Sequence, residues 1–326
     1  MVENDCTGCQ ECETVCPMVV KDQFQFNLVA RKAIYIPFNI ANPRVALIDI
    51  ENCTLCGACE QKCPSNCIDF TQKEELVNIK VKSVIVATGF KLFDPISIER
   101  YGYGKYKNVI TSMQMERELA PTRPFNNVMR PSDGKVPDKI AYIFCTGSRD
   151  HTVGNPICSQ VCCMYSTKQA QLLMGALPMA DISLYYINIR AFGKGFNEFY
   201  MQAKDMGANY VKGKIGSISE KENGNLILRY EDIATGKVTE KEHDLVVLSV
   251  GLLANPEITK VFKNEKLELD ALKYIKQPDL LQSPATTSIK GVFVAGTATA
   301  PMDIPDTIMS AGAAASETSG YLNQWS

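Results

Sequence analysis

Apolar residues from position 79 onward are gathered into short, nearly continuous runs, each of which ends in glycine or in a turn that contains it. The three clearest runs are residues 81–89, 244–251 and 291–297. Runs of this length without polar alternation predict strands that are covered on both faces, as in a parallel sheet packed between helices. The last run leads into 310–316, a stretch of small residues that predicts a helix.

A smaller α/β region lies between the first two of these runs. Residues 139–145 predict a strand, 145–150 a turn, and 181–188 a further strand, with a helix expected to begin near Ser159. Strands that alternate with helices predict βαβ units, in which ligands bind at the carboxyl ends of the strands. The expected fold class of this part is therefore α/β, with Rossmann-type units.

The first 78 residues are defined by cysteine spacing instead. Residues 6–17 and 53–64 both read C-x2-C-x2-C-x3-C-P, the spacing that binds [4Fe-4S] clusters in bacterial-type ferredoxins. In two-cluster ferredoxins the fourth cysteine of each run binds the other cluster. One cluster is therefore expected on Cys6, Cys9, Cys12 and Cys63, and the other on Cys53, Cys56, Cys59 and Cys16. Zinc, which usually takes cysteines in two pairs, is the alternative.

The rest of this small α+β ferredoxin domain offers less specific signals. Residues 31–38 are apolar and rich in β-forming residues, and they predict a hairpin that serves either for docking or only as surface. Cys67 belongs to neither run and is interpreted as a buried free thiol.

Composition narrows the function classes. A length of 326 residues suggests two or three small domains, and a net charge of −2 gives no reason to expect nucleic acid or an anionic membrane as partner. No apolar run reaches the roughly 18 residues of a membrane span, and no signal peptide is expected. Cluster thiolates need a reducing interior, which predicts a cytoplasmic protein of an anaerobe. His151 and His243 are the only histidines, so histidine-based acid–base catalysis is not expected.

A third cysteine group surrounds one predicted strand end and one predicted helix start. Its members are Cys145, Cys158, Cys162 and Cys163. Four thiols are the number that a third cubane needs, and a helix N-terminus favours thiolates. The spacing matches no standard ferredoxin run, so a redox disulfide between Cys158 and Cys162 or a structural zinc are alternatives. Lys168, about one and a half turns beyond Cys163, would place a positive charge beside a flavin or cluster, or else be solvated.

The three apolar runs and the small-residue helix resemble the disulfide-reductase class of flavoproteins, thioredoxin reductase in particular. The resemblance implies an FAD domain whose last strand and helix hold the ribityl chain and the flavin ring. The residues expected on this basis to contact the cofactor are Thr88, Gly89, Gly251, Gly296, Thr297, Asp303, Ile304 and Ala311. The class usually has Gly-Asp where this chain has Gly296-Thr297, so the ribityl contact is expected to pass to Asp303 or to be lost.

The glycine-rich turns of that class are missing. The G-x-G-x-x-G motif that cradles the FAD pyrophosphate does not occur in these 326 residues, and cysteine-containing residues 145–150 stand where a nicotinamide unit would have its phosphate-binding glycines. Either another polypeptide seats the ADP half of FAD, or this chain binds no flavin by itself. Ordinary Rossmann strands without flavin remain the alternative. A complete ferredoxin:NAD(P)H enzyme is disfavoured for the same reason.

Several stretches together resemble the A subunit of the heterodisulfide reductases of methanogens and related anaerobes. They are residues 32–38, 84–90, 101–111, 145–150, 155–165, 189–196 and 294–298, with 303–305 following. The resemblance implies a thioredoxin-reductase-like FAD domain with an inserted two-cluster ferredoxin, and a third cubane on the group that starts at Cys145. It also implies that the flavin bifurcates electrons between ferredoxin and the CoM-S-S-CoB heterodisulfide.

The same resemblance sets expectations for partners and domains. The protein is expected to be the C-terminal part of a split A subunit, which shares its FAD with a separate polypeptide that carries the N-terminal half and the G-x-G-x-x-G motif. Further expected partners are the B and C subunits, a hydrogenase or formate dehydrogenase module, and ferredoxin. The expected domains are a ferredoxin domain at 1–78, the end of the first FAD half with a linker at 79–137, an NAD(P)-domain-like unit at 138–245 and the second FAD half at 246–326. A flavin-free iron–sulfur wiring subunit of another anaerobic oxidoreductase complex is the alternative.

Overall fold

The computed structural model describes residues 5–38, 40–262 and 266–324. The chain forms two compact units, one made of residues 1–78 with 113–128 and the other of residues 79–112 with 129–326. The four-part division at 78, 137 and 245 stays a prediction. Among the described residues, no helix combines the length and the apolar character that a membrane crossing requires.

The first unit, called the ferredoxin unit below, contains two similar halves. In each half a loop with two cysteines leads into a five-residue helix that carries the third cysteine, and the fourth cysteine ends the helix. These helices are α1 (Glu11–Val15) and α2 (Ala58–Lys62). Gln10 and Gly57 precede them with φ of 64° and 72°, a left-handed conformation that turns the loop sharply into the helix.

Two short antiparallel strand pairs belong to this unit, together with most of the helix α3 (Ser112–Leu119). The pairs are β1 (Val19–Lys21) with β2 (Ala30–Lys32), and β3 (Ile34–Tyr35) with β4 (Leu47–Ile48). The predicted hairpin over residues 31–38 is wrong, because β2 and β3 pair with different strands. Ala33 and Ile34 are only 1% and 2% exposed. The tip of a hairpin over residues 31–38 would lie near these positions, but here the chain runs through the core of the unit and does not turn at its surface.

The second unit, called the α/β unit below, contains most of the regular structure. Its strands are β5 (Val84–Val86), β6 (Lys91–Leu92), β7 (Val109–Thr111), β8 (Lys139–Thr146), β9 (Asp181–Tyr186), β10 (Asn209–Lys212), β11 (Ile215–Glu220), β12 (Leu226–Asp232), β13 (Lys237–His243), β14 (Leu245–Val250), β15 (Leu252–Leu253) and β16 (Val292–Val294). Its long helices are α4 (Cys162–Ala176), α5 (Phe196–Asp205) and α6 (Ile304–Asn323).

Five of these strands form one parallel sheet in the order β10-β9-β8-β14-β7. Its central strands β8 and β14 are buried along almost their whole length, as the apolar runs at 139–145 and 244–251 predicted. The strands β11, β12 and β13 form a separate antiparallel sheet. The α/β class with a parallel sheet is therefore confirmed, and the carboxyl ends of β8 and β14 lie side by side at one edge.

The first apolar run behaves differently from the expectation. Within residues 81–89 only β5 is a strand, and its one partner in the described chain is β16, in parallel register. Val84 and Ile85 are 39% and 46% exposed, so the prediction of a buried strand is wrong for this run. A strand in a two-stranded sheet has few neighbours to cover it, and an apolar sequence alone does not supply them.

The helix expected near Ser159 begins three residues later, at Cys162. The Ser159 hydroxyl accepts a hydrogen bond from the Leu252 backbone N–H at 2.8 Å and does not cap the helix. Residues 158–161 consequently remain a loop. Cys162 and Cys163 occupy the first two positions of α4.

Candidate metal centres

The first candidate centre is a cavity in the ferredoxin unit lined by Cys6, Cys9, Cys12 and Cys63, the crossed set that the two-cluster spacing predicts. It encloses about 330 Å³ of empty space. Cys12 projects from α1 and Cys63 ends α2, so both halves of the unit contribute thiols. Burial raises the pKa of Cys12 to about 11, with the Glu13 carboxylate adding to the effect, so binding a metal here releases a proton.

The second cavity is the counterpart of the first. Its thiols are Cys53, Cys56, Cys59 and Cys16, and it encloses about 320 Å³ of empty space. Burial raises the pKa of Cys59, whereas the Ala58 backbone N–H lowers the pKa of the exposed Cys56 thiol. The structure therefore brings each predicted set of four cysteines to one cavity.

Each cavity offers the four cysteine thiols predicted for it. Among the described residues, no three Cys, His, Asp or Glu side chains converge closely enough to hold one metal ion. A cubane carries its iron atoms at separate corners, so its four cysteines stand farther apart than those of a tetrahedral zinc site. Both cavities fit a cubane in donor type and number.

A fifth thiol, Cys67, also lines the first cavity. It is 5% exposed, as predicted for a buried thiol, and its Sγ lies 3.5 Å from the Sγ of Cys63. Burial raises the pKa of Cys67 to about 12, and the contact with Cys63 contributes to that rise. Sequence reasoning missed this contact, although the position of Cys67 four residues after a cluster cysteine was a usable signal.

The third group is assembled by the parallel sheet of the α/β unit. Cys145 lies near the end of β8 with φ of 57°, and Cys162 and Cys163 begin α4 at 1% and 3% exposure. The Cys145 and Cys163 thiols both raise the pKa of Cys162, so the three groups are close enough to influence one another electrostatically. Cys158 lies in the preceding loop, where its Sγ accepts a hydrogen bond from the Gln160 backbone N–H at 3.3 Å. Three of the four predicted thiols therefore influence one another's pKa, and the fourth lies on the loop that leads to α4.

Electrostatics make the Cys145 thiol unusually acidic. The hydrogen bond from Cys162 and the Arg149 guanidinium overcome the opposing effect of burial and lower the pKa of Cys145 to about 6. The pKa of Cys163 is lowered by its own bond with Cys162, while the shared bonds raise that of Cys162. The N-terminus of α4 carries the positive end of the helix dipole, which stabilises thiolates at this position. Lys168, farther along α4, is half-buried.

The residues expected to contact a flavin fall into two places. Gly89 and Gly296, both with φ of 68°, follow the paired strands β5 and β16. A Cβ on Gly89 would lie 3.9 Å from Thr297 Oγ1, so these turns adjoin each other. Thr88 is exposed beside Gly89. At the end of this two-stranded sheet the two turns therefore adjoin, with Gly89 partly exposed and Gly296 buried.

The final helix begins beside these turns. Asp303 is its N-cap, and its Oδ1 accepts the Asp306 backbone N–H at 2.9 Å. The Ser310 hydroxyl accepts the Gly296 backbone N–H at 2.9 Å, which ties the turn to the helix. Ile304, at 76% exposure, and Ala311 are both exposed.

Gly251 lies elsewhere. It follows β14 in the five-stranded sheet, and a Cβ there would lie 2.7 Å from the Gly147 carbonyl oxygen. Its backbone N–H donates to the Thr146 carbonyl at 2.8 Å. This glycine therefore packs against the turn that carries Cys145, not against Gly89 and Gly296.

Comparison with known proteins agrees with the geometry of the first two cavities. Residues 5–68 match the family model of the 4Fe-4S dicluster domain. The ferredoxin unit therefore places this chain among the iron–sulfur proteins.

Full-length comparison is more specific. The chain is 43% identical over 320 residues to the A-type iron-sulfur subunit of the CoB–CoM heterodisulfide reductase of Methanocaldococcus jannaschii, covering 97% of this chain and 49% of that protein. It is 42% identical to the A-type subunit of the H2/formate:CoB–CoM heterodisulfide,ferredoxin reductase of Methanococcus maripaludis, over 99% of this chain and 49% of that protein. Over almost its whole length the chain is similar to heterodisulfide reductase A subunits, and it spans about half the length of the curated relatives that it matches.

Solved structures give a weaker likeness. The thioredoxin reductase of Lactococcus lactis superimposes with a TM-score of 0.48 at 16% identity, covering 74% of this chain and 66% of that protein.

Proposed function

We propose that this protein is an electron-transfer subunit of a heterodisulfide reductase-type complex, with three [4Fe-4S] clusters and one part of an FAD site. The observation that carries the proposal is the pair of crossed cavities in the ferredoxin unit, each with four thiols from both halves. Two clusters held in one small unit provide a relay for single electrons. The protein's own task is to fix the spacing of the clusters and to set their potentials through charge and hydrogen bonds.

The third cluster is proposed on Cys145, Cys158, Cys162 and Cys163. Its support is the electrostatic interaction among the Cys145, Cys162 and Cys163 thiols, which come from the end of β8 and the start of α4, together with the Arg149 guanidinium, which lowers the pKa of Cys145. A positive charge beside a cluster stabilises its more reduced, more negative state. A redox disulfide or a zinc ion on the same thiols predicts a different metal content, which the experiment below measures.

The proposed FAD contribution is the region of Gly89, Thr297 and the start of α6, which adjoins the buried turn at Gly296. The partly exposed turn at Gly89 allows a cofactor to approach the backbone closely, and the N-terminus of α6 is the positive end of its dipole. Asp303 caps this helix, with one carboxylate oxygen engaged by the Asp306 backbone N–H. The pyrophosphate would be held by a G-x-G-x-x-G turn outside these 326 residues, on a separate polypeptide or on a longer form of this one.

The wider complex is proposed from the relatives. Their names include H2, formate, ferredoxin and the CoB–CoM heterodisulfide. By analogy, the FAD would send electrons from a hydrogenase or formate dehydrogenase module along two routes, one to ferredoxin and the other to the heterodisulfide through the B and C subunits. This protein would conduct one or both routes through its clusters.

The test is the cofactor content of the anaerobically isolated complex that contains this protein. We expect about twelve iron atoms from this chain and about one FAD per copy, with the FAD lost when the chain is purified alone. About eight iron atoms would overturn the third cluster while leaving the ferredoxin clusters in place.

A second function is that of a flavin-free wiring subunit in another oxidoreductase complex. The absence of a G-x-G-x-x-G motif from the sequence favours it. Full iron content without FAD in the intact complex would establish this function and overturn bifurcation. One FAD per copy would exclude it.

A further inference from the structure

The first cavity contains one thiol more than its four proposed ligands. Cys67 lines it, is buried, and lies with its Sγ 3.5 Å from the Sγ of Cys63. The two halves of the unit differ at this point. Four residues after Cys16 the sequence has Val20, whose side chain has no polar hydrogen, and the second cavity has no fifth thiol among the described residues that line it.

The direction of the hydrogen bond follows from the chemistry of the pair. As a cluster ligand Cys63 is a thiolate, which accepts hydrogen bonds and has none to donate. Cys67 therefore supplies the S–H hydrogen between the two sulfurs.

We propose that the Cys67 thiol donates a hydrogen bond to the Cys63 thiolate and so raises the reduction potential of the cluster in the first cavity above that of the cluster in the second. Reduction adds negative charge to a cluster, and hydrogen bonds to its sulfurs stabilise that charge. An electron that enters the ferredoxin unit would then settle on the first cluster, which gives the relay a direction. This inference rests on the ligand assignment proposed above.

The test is a redox titration of the anaerobically reconstituted 326-residue chain, followed by EPR, with iron and sulfide analysis of each sample. Two variants remove the donor: Cys67→Ala, and Cys67→Val, which copies the other half of the unit and fills more of the space. Cys67→Ser keeps a hydroxyl donor. Ile68→Val is the matched control, because Ile68 lines the same cavity at 5% exposure and its side chain has no hydrogen-bonding group.

We expect both donor-free variants to shift the midpoint potential of one cluster to a more negative value and to leave the others unchanged. Cys67→Ser is expected to stay closer to the wild type than either, and Ile68→Val to match it. If Cys67→Ala does not fold, Cys67→Val decides the question.

Two results would overturn the inference. One is a shift in the donor-free variants no larger than that of Ile68→Val. The other is loss of iron or a three-iron EPR signal in those variants, which would make Cys67 a ligand. Failure of the wild-type chain to hold two clusters in this unit would instead overturn the ligand assignment, so the two failures are distinguishable.

Discussion

The ferredoxin unit and the third cysteine group hold their thiols by opposite means. In the ferredoxin unit, three thiols of each cavity come from seven consecutive residues, such as those from Cys6 to Cys12. In the third group, Cys145 and Cys162 lie at the end of β8 and the start of α4, and the parallel sheet brings them together. In the ferredoxin unit, the spacing of the cysteines along the sequence is enough to bring three thiols of each cavity together. The third cysteine group comes together only after the α/β unit has folded.

The two regions also differ in what stabilises them. The described core cluster of the ferredoxin unit has six buried residues, of which three are Cys12, Cys59 and Cys67. The largest described core cluster of the α/β unit has fifteen buried residues, all of them aliphatic or aromatic. A small core built half of cysteine depends on the metal that the cysteines bind, because metal binding and folding are coupled in such units.

Removal of the clusters should therefore have the largest effect, and only on one region. After anaerobic chelation of iron, we expect amide hydrogen exchange to become fast in residues 5–70, while β8 and β14 stay protected. The physical reason is the difference between the two cores. Hydrogen exchange measured by mass spectrometry on peptides from each unit checks this expectation.

Mock treatment without chelator is the control for that experiment. Retained protection in residues 5–70 after complete iron loss would break the comparison, since the ferredoxin unit would then be stable on its own core. Loss of protection in β8 and β14 would also contradict the comparison, because it would show that the α/β unit depends on bound iron as well.

Cys163→Ala should have the next largest effect. Cys163 is 3% exposed at the start of α4, and alanine suits a helix, so the fold is expected to remain. We expect the loss of about four iron atoms with the EPR signals of the ferredoxin clusters unchanged. Iron analysis and EPR of the reconstituted chain measure both quantities.

Cys67→Ser serves as the control for that variant, because it also alters a buried cysteine but is expected to keep all iron. An unchanged iron content in Cys163→Ala would remove Cys163 from the ligand set. A loss of all iron would show that the two regions are not independent.

The same contrast explains how much was predictable from sequence. The crossed cysteine sets, and the strands around 139–145 and 244–251, followed from local pattern and were found where they were expected. The start of α4 at Cys162 was missed, because the Ser159 hydroxyl binds Leu252, which is distant in the sequence. Only tertiary structure reveals that competition with helix capping.

Two further misses have similar causes. Apolar sequence at β5 predicted burial, yet one partner strand leaves Val84 and Ile85 exposed. Gly251 was grouped with Gly89 and Gly296 because all three follow apolar strands, but β14 joins a different sheet from β5 and β16. Periodicity identifies a strand, and it does not identify the neighbour with which the strand pairs.

Acid should weaken the α/β unit through His243. This histidine is fully buried, and its Nε2 lies 2.9 Å from the Tyr185 hydroxyl. Burial lowers its pKa to about 4, and the nearby charge of Lys241 contributes. Between about pH 6.5 and 4 the unfolded chain binds a proton that the folded chain does not, so about 3 kcal/mol of folding free energy is lost as the pH falls through this range.

His243→Gln should flatten that dependence. Urea unfolding followed by circular dichroism at pH 7 and pH 5, with both proteins in the same cofactor state, measures the difference. Acid loss of clusters affects both proteins and cancels in the comparison. An equally steep dependence in the variant would show that His243 is protonated in the folded chain.

Gly251→Ala should have the smallest effect and the most selective one. The new Cβ would lie 2.7 Å from the Gly147 carbonyl oxygen and 3.1 Å from Ser148 Cβ, so the turn that carries Cys145 has to move. We expect a loss of about 1–2 kcal/mol in the free energy of unfolding of the α/β unit and a lower iron occupancy of the third site. Gly175→Ala on α4, where a Cβ would meet no atom within 4 Å, is the matched control. The thiols of the ferredoxin unit are positioned by their spacing in the sequence, so a displaced turn in the α/β unit should not disturb them. We therefore expect the ferredoxin clusters to keep their full iron content. Loss of those clusters in Gly251→Ala would contradict the distinction between the ferredoxin cavities and the third cysteine group.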